Sequence, residues 1–193
     1  MKLSCGELFI SQAHYFCTMQ SASAPAFQPA TSLDIPALIQ LLNSAYRGDA
    51  ARAGWTHEAD LIEGEQRTDA NELRDKMEQG TILCTFNTDR EIVACVYLEA
   101  QGPDLYLGML SVRPHLQGTG LGKQLLRAAE EHARSLGCNA IVMTVISVRT
   151  ELLQWYLRHG YVETGAEEPF PDDPRFGKPR QQLFFKWLRK EVK

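Results

Sequence analysis

A glycine-rich segment carries the clearest chemical signal in this chain. It reads Gln-Gly-Thr-Gly-Leu-Gly over residues 117–122, and Lys123 follows it. Glycines let an anion approach the backbone, and the N–H groups that begin a helix point towards such an anion. The helix dipole contributes only ~0.3–1 kcal/mol, whereas each charge-assisted hydrogen bond contributes roughly 1.5–3 kcal/mol. The segment therefore predicts a phosphate cradle built mainly from backbone N–H groups.

Two common phosphate loops do not fit the spacing of this segment. A Walker loop needs a glycine and then four residues before Gly-Lys-Ser/Thr, but Gln117 and Gln124 stand at the glycine and hydroxyl positions. The dinucleotide fingerprint needs G-x-G-x-x-G, but its third glycine position is Lys123. Neither a P-loop nor a Rossmann site is indicated.

A strand and a helix must position the segment. Residues 105–112 are apolar and aromatic, and Pro114 cannot continue a strand ladder, so we predict a strand that ends there. After the segment, apolar residues recur at helical spacing up to Gly137, a suitable residue to end a helix. The pattern predicts strand, glycine turn and helix in succession.

The same periodicities predict the other strands and helices. We predict strands at 27–30, 82–86, 92–98, 140–146 and 182–188, and helices after Ser32 or Asp34, at 69–79 and at 151–159.

Residues 163–173 are acidic and proline-rich, and we predict a long loop there. This loop could line a binding site for a cationic amine or simply face solvent.

Two blocks of the sequence resemble the GNAT N-acetyltransferase superfamily. The first, residues 110–126, contains Gln-x-x-Gly-x-Gly after a strand that ends Val-x-Pro, and the second, residues 155–161, contains Tyr-x-x-x-Gly-Tyr. The chain is also similar to a bacterial subgroup with Asn-Ser-Ala-Tyr-Arg-Gly, Gly-Trp-Thr and Arg-Thr, found here at 43–48, 54–56 and 67–68. The resemblance covers 27–188 and implies an α/β (α+β) fold with a mixed, strongly twisted sheet of about six to seven strands and helices on both faces.

The resemblance implies acetyl-CoA as co-substrate. The strands 105–112 and 140–146 would splay apart around its pantetheine arm, and the Leu110 N–H would polarise the thioester carbonyl, a contribution of ~3–4 kcal/mol in other enzymes. Arg149 departs from the asparagine often found there, so the contacts of its loop with pantetheine stay open. The implied cofactor-binding residues are Leu110, Val112, Gln117, Gly118, Thr119, Gly120, Leu121, Gly122, Lys123 and Arg149.

Acetyl transfer to an amine needs an acid and a base. The resemblance makes Tyr156 the candidate acid, beside the sulfur of CoA. The position that a glutamate base takes in histone-acetylating members is Tyr106 here. Glu58, Glu99 and Asp104 stay open as bases, as does a chain of waters, although each carboxylate is also consistent with a solvated surface group.

Residues 46–60 mix glycine, charge and one tryptophan without a regular period, and we predict a functional loop. In the family the segment after the first helix commonly lines the acceptor site. The alternative is that Trp55 packs at the edge of the core and that the arginines form surface ion pairs worth only ~0–1 kcal/mol. The candidate acceptor-binding residues are Arg47, Trp55, Glu58, Arg67 and Tyr106.

Composition narrows the class of protein. The net charge is -4 and no dense Lys/Arg cluster occurs, which argues against nucleic-acid binding. Five scattered cysteines without a C-x-x-C pair predict neither a metal site nor a disulfide framework. No apolar run approaches the roughly eighteen residues of a membrane span, and we expect a cytoplasmic protein.

The chain divides into two unequal parts. Residues 1–25 lack domain-like patterning, and we expect a poorly ordered or extra N-terminal segment, of which 1–18 are dispensable or reflect an upstream start codon. Residues 26–193 are expected to form a single domain, as a monomer or a homodimer.

The resemblance implies an N-acyltransferase that moves acetyl from acetyl-CoA directly to a primary amine, and we expect a small-molecule acceptor. One alternative keeps the chemistry and makes the acceptor a protein Nα or lysine amine. Another is a non-catalytic CoA-binding sensor, since no carboxylate stands at position 106 and Arg149 departs from the family pattern.

Overall fold

The computed structural model of the protein describes residues 26–171 and 177–193. The strands are β1 Gln28–Pro29, β2 Ile62–Glu63, β3 Thr81–Phe86, β4 Ile92–Gln101, β5 Asp104–Val112, β6 Ala140–Ile146, β7 Val162–Pro169, β8 Lys178–Pro179 and β9 Phe184–Glu191. The helices are α1 Ile35–Tyr46, α2 Gly48–Ala51, α3 Ala70–Gln79, α4 Leu121–Ser135 and α5 Thr150–Arg158.

Seven of the described strands form one mixed sheet in the order β1-β3-β4-β5-β6-β9-β7. Neighbours pair antiparallel except β5 and β6, which run parallel. Strands β2 and β8 form a separate small ribbon. The predicted mixed sheet is confirmed.

Helices cover both faces of the sheet because side chains along a strand alternate between its faces. In β3 and β4, Cys84 and Tyr97 belong to the core that packs under α1 and α3. Their neighbours Leu83 and Val96 belong to the opposite core, which packs under α4 and α5. The predicted two-sided arrangement is confirmed.

Helix starts follow the predicted positions with one difference. Asp69 caps α3, and its side chain accepts hydrogen bonds from the N–H groups of Asn71 and Glu72. Asp34 precedes α1, but its carboxylate accepts from the N–H of Thr31, at 2.7 Å, and from the Thr31 hydroxyl. Asp34 therefore stabilises the turn before the helix instead of the first turn of α1.

Two predicted loops contain regular structure. The segment 46–60 includes the single turn α2. The acidic run at 163–173 forms the exposed edge strand β7 as far as Pro169. Within this strand, Glu163 pairs with Lys186 of β9 at 2.8 Å. An edge strand with both faces in solvent needs no apolar alternation, which is why the loop prediction was wrong there. Residues 172–173 of that run, like 1–25, lie outside the described residues.

None of the helices in the described part of the chain is long and apolar enough to cross a bilayer.

Candidate active site

Strands β5 and β6 lie side by side only at one end. Their pairing extends from Asp104 with Ala140 to Tyr106 with Val142, although β5 runs on to Val112. Beyond the paired residues the two strands part, and a strand edge that is not paired offers backbone donors and acceptors to a ligand. The predicted separation of the strands is confirmed.

A β-bulge bends β5 beside this cleft. The register with β4 skips a residue, so Met109 and Leu110 lie opposite a single residue of β4. Met109 has a φ of 53°, a left-handed value that is rare for a residue with a side chain. The Met109 side chain packs in the core under α1, and its carbonyl accepts the Ser111 hydroxyl at 3.1 Å. Such contacts hold a strained backbone in place, and here they fix the position of Leu110 at the cleft.

The glycine-rich segment turns sharply into α4. Gly118 and Gly120 have φ values of 83° and 93°, and Gly120 is the N-cap of the helix. Among the described residues, no atom lies within 4 Å of the Cβ position at either glycine, and no side chain caps the first turn of α4. The N–H groups of that turn are therefore open to an anion.

The side chain of Gln117 connects this cradle to the loop after α2. Its amide nitrogen donates to the Thr56 hydroxyl at 3.0 Å and to the Val112 carbonyl at 3.2 Å. Its oxygen accepts from the Trp55 N–H at 2.9 Å. Because the Gln117 backbone N–H also donates to Pro114, the geometry gives Gln117 a positioning role in this part of the site.

Gly54 offers a test of this connection. A Cβ there would lie 2.6 Å from the Gln117 Oε1, so Gly54→Ala should push the amide out of hydrogen bonds worth ~0.5–1.5 kcal/mol each. We expect the free energy of unfolding to fall by about 1–3 kcal/mol, measured with denaturant. In a Gln117→Ala background Gly54→Ala should cost under about 0.5 kcal/mol. An equal cost in both backgrounds would rule out the connection.

A cavity of about 370 Å³ opens over the glycines, and we call it the cradle cavity. Thr119 and Leu121 are not part of its lining among the described residues: the Thr119 hydroxyl donates to Leu116 at 2.7 Å, and Leu121 packs on the core. The other predicted cofactor residues line it, namely Leu110, Val112, Gln117, Gly118, Gly120, Gly122, Lys123 and Arg149.

A neighbouring cavity of about 310 Å³ lies between α1, β5, β6 and residues 168–171, and we call it the acceptor cavity. Four of the predicted acceptor residues line it: Arg47, Glu58, Arg67 and Tyr106. Trp55 lines the cradle cavity instead. The structure thus brings together most of the predicted acceptor residues and separates Trp55 from them.

The two cavities meet at a junction. Residues that line both are Tyr46, Leu110, Arg149, Leu152 and Tyr156. The predicted carbonyl-polarising residue and the predicted acid are therefore both in the wall that the cavities share.

Glu58 lies between two arginines beside the junction. Its carboxylate accepts from Arg47 Nη1 at 2.5 Å and from Arg149 Nη1 at 3.0 Å, and Arg149 also donates to the Thr56 carbonyl. Arg47 is 2% exposed and Glu58 6%, so a surface ion pair and a solvated carboxylate are the wrong interpretations. Each carboxylate oxygen already accepts from a guanidinium, and this double pairing disfavours Glu58 as the base.

The buried ion pairs of Glu58 predict a stability effect. Glu58→Gln should lower the free energy of unfolding by about 3–5 kcal/mol, because two largely buried guanidinium groups each lose an ion pair with it. Glu63→Gln is the matched control, since Glu63 pairs with Arg180 at the surface and such pairs contribute about 0–1 kcal/mol. Denaturant unfolding of both variants would measure this, and equal costs would contradict the account of the cluster.

Tyr156 lies in α5 and is 5% exposed. Its ring packs edge-on against Trp155 at 5.0 Å and Tyr161 at 5.6 Å. Burial raises the pKa of Tyr156 above its ordinary value, so the phenol keeps its proton at neutral pH. A protonated phenol can act as an acid and cannot act as a base, which suits the role predicted for it.

The other two predicted bases, Glu99 and Asp104, are also disfavoured. Glu99 accepts from the Tyr97 hydroxyl at 2.8 Å and Asp104 pairs with Arg189, and neither is among the described residues that line the two cavities. Tyr106 lines the acceptor cavity, and its hydroxyl lies 3.3 Å from the Thr144 hydroxyl. A water chain therefore stays the open alternative.

The sequence does not indicate that Tyr46, Leu152 and Trp155 line these cavities. The Tyr46 hydroxyl donates to the Leu110 carbonyl at 3.0 Å, and the Trp155 ring lies 3.4 Å from the Cβ position of Gly122. The helical spacing of α5 could have indicated Leu152, because Leu152 lies four residues before Tyr156 and therefore on the same face of the helix. Tyr46 belongs to the subgroup pattern at 43–48 and begins the predicted loop 46–60, but neither feature indicates its contact with Leu110.

A glycine cradle at the start of a helix and parted parallel strands frame one cavity, and a second cavity adjoins it. Residues 35–161 match the family model described as the acetyltransferase (GNAT) family. The match covers more than half of the 193 residues, and the chain belongs to this family.

One curated relative is the amino-acid acetyltransferase of Ralstonia nicotianae. It is 36% identical over 86 residues, which make up 45% of this chain and 16% of the relative. The likeness therefore concerns a limited region of that longer protein.

Solved structures share the fold. The ribosomal-protein-alanine N-acetyltransferase of Brucella melitensis is 18% identical, covers 86% of this chain and 99% of its own, and has a TM-score of 0.63. The yncA protein of Salmonella typhimurium, solved with its cofactor acetyl-CoA, is 16% identical, with coverages of 89% and 95% and a TM-score of 0.61. At these identities the likeness shows the fold alone.

Proposed function

We propose that this protein transfers the acetyl group of acetyl-CoA directly to a primary amine of a small molecule. The junction carries the proposal, because Leu110 and Tyr156 line both the cradle cavity and the acceptor cavity. Direct transfer requires two ligands in contact, and cavities with a shared wall hold their ligands within reach of each other.

The cradle cavity fits the cofactor. Gly118 and Gly120 leave room for a pyrophosphate at uncapped N–H groups of α4, and Lys123 adds a positive charge to the same wall. Bound acetyl-CoA would supply an activated acetyl group as a thioester. Among the described residues, no cluster of His, Cys, Asp or Glu is arranged to hold a metal ion, and the proposal uses none.

Residues at the junction divide the chemical work. The Leu110 N–H, set by the bulge in β5, would donate to the carbonyl oxygen as negative charge develops there. The Tyr156 hydroxyl would give its proton to the departing sulfur. We assign removal of the amine proton to water in the acceptor cavity, because Glu58 is paired with two guanidinium groups and neither Glu99 nor Asp104 is among the described residues that line the two cavities.

The acceptor cavity favours a small molecule. Its volume of about 310 Å³ lies at the lower end of the usual range for small-ligand pockets, roughly 300–1,000 Å³. Tyr97, Tyr106 and Phe185 give it apolar walls beside charged groups. The printed name of the Ralstonia relative, an amino-acid acetyltransferase, also supports a small amino compound.

A labelling experiment tests this function. The protein would be incubated with isotope-labelled acetyl-CoA and a cell extract separated into small-molecule and protein fractions. We expect thiol release that depends on the small-molecule fraction, with an N-acetyl product identified by mass spectrometry. Label only in the protein fraction would instead support a protein acetyltransferase, and acetyl-CoA binding without turnover in either fraction would support a sensor.

A further inference from the structure

We infer that Trp55 is a cofactor-binding residue whose indole, together with Trp155, packs on the pantetheine arm of acetyl-CoA. The inference rests on the proposed function, since it takes CoA as the ligand of the cradle cavity. It also reverses the expectation from the sequence, which grouped Trp55 with the acceptor site.

The backbone around Trp55 is fixed against the cradle. Its N–H donates to the Gln117 Oε1 at 2.9 Å, and the next residue, Thr56, accepts from the other end of the same amide at 3.0 Å. Gly54 approaches so closely that a Cβ would lie 2.6 Å from that Oε1. The loop therefore presents Trp55 to the cradle cavity at a defined position.

The indole itself is only partly covered. Trp55 is 42% exposed, and its ring packs edge-on against Trp155 with centroids 6.3 Å apart. A single exposed aromatic residue needs no explanation by itself. Here the exposed ring lines a cavity and continues the wall formed by Trp155, which is the arrangement of an apolar binding surface.

The position of this wall selects one part of the cofactor. Trp155 packs on Tyr156 at the junction, with centroids 5.0 Å apart, and its ring also lies 3.4 Å from the Cβ position of Gly122 in the cradle. The thioester belongs at the junction and the pyrophosphate at the cradle. The arm that joins them is pantetheine, whose methyl groups suit an aromatic wall, whereas the adenine lies beyond the phosphates.

The test compares CoA with 3′-phospho-ADP, which is the nucleotide half of CoA without the arm. Trp55→Ala should weaken CoA binding about tenfold, a typical effect of truncating an interfacial tryptophan, and leave the affinity for 3′-phospho-ADP within about twofold. Calorimetry measures both affinities. The change in tryptophan emission on CoA binding should shrink in Trp55→Ala and persist in Trp187→Phe, whose ring lies beside Tyr106.

The outcomes separate this inference from the proposed function. If wild type binds CoA and Trp55→Ala binds it equally well, the inference is wrong while the cofactor assignment stands. An equal loss for both ligands would place the indole on the nucleotide, and an increase confined to the acceptor KM would return Trp55 to the acceptor site; both overturn the inference. If wild type binds no CoA, the proposed function itself fails.

Discussion

Gly120→Glu should abolish acetyl-CoA binding at concentrations that saturate the wild type. The glycine has a φ of 93° and caps α4, so a side chain there strains the backbone by roughly 1–2 kcal/mol. The new carboxylate would also compete with the pyrophosphate for the same N–H groups. Losing two charge-assisted hydrogen bonds of roughly 1.5–3 kcal/mol each predicts at least about a hundredfold weaker binding, measured by calorimetry.

Gly137→Glu is the matched control. Gly137 follows the last turn of the same helix with a φ of 71°, and within the described part of the chain no atom lies within 4 Å of its Cβ position. The backbone strain is therefore similar, but the cradle is not touched. We expect a comparable loss of stability with CoA affinity within about threefold of wild type. Equal losses of affinity in both variants would show that the effect at Gly120 is general destabilisation.

Tyr156→Phe should lower kcat by roughly 10²–10⁴-fold, the usual contribution of a positioned proton donor. Acetyl-CoA affinity should stay near the wild-type value, because the ring keeps its contacts with Trp155 and Tyr161. Thiol-release kinetics with a saturating amine, combined with calorimetry, separate the two effects. Full turnover in this variant would remove Tyr156 from the mechanism.

Tyr161→Phe is the control for this substitution. Tyr161 is 1% exposed, its ring neighbours that of Tyr156, and among the described residues its hydroxyl has no hydrogen-bond partner. Removing an unsatisfied hydroxyl costs little, so we expect unchanged kcat and equal or slightly higher stability. Loss of kcat in both variants would indicate a packing effect at α5.

The raised pKa of Tyr156 also sets the expected pH profile. Burial disfavours the charged phenolate, so the acid should keep its proton beyond its ordinary pKa of about 10. Ionisation of Tyr156 should therefore cause no fall in kcat between about pH 7 and pH 9. A descending limb in that range that disappears in Tyr156→Phe would contradict the assignment.

Local sequence patterns were sufficient to predict the strands and helices that surround the two cavities. β6 spans the predicted Ala140–Ile146, and α5 begins one residue before its predicted start. The predicted succession of strand, glycine turn and helix is also present, as β5, the glycine-rich segment and α4. These features depend on residue types over short windows, where the periods of two and 3.6 are readable.

Features that depend on distant partners could not be read from the sequence. Glu58 looked like a solvated carboxylate because one of its partners, Arg149, is 91 residues away. The sequence groups Trp55 with the acceptor residues, and nothing local shows that Gln117, 62 residues later, accepts from the Trp55 N–H beside the cradle. The left-handed Met109 in β5 is hidden for a similar reason, since only its packing and hydrogen bonds sustain it.

Thermal unfolding of the wild type with acetyl-CoA, ATP and NADH is the most direct test of the cofactor assignment on which the account depends. At a hundred times its Kd, acetyl-CoA should stabilise the protein by ~2.7 kcal/mol, and each kcal/mol should raise the unfolding midpoint by roughly 2–4 °C. We expect such a rise for acetyl-CoA alone. No rise with acetyl-CoA, or an equal rise with ATP and NADH, would contradict it.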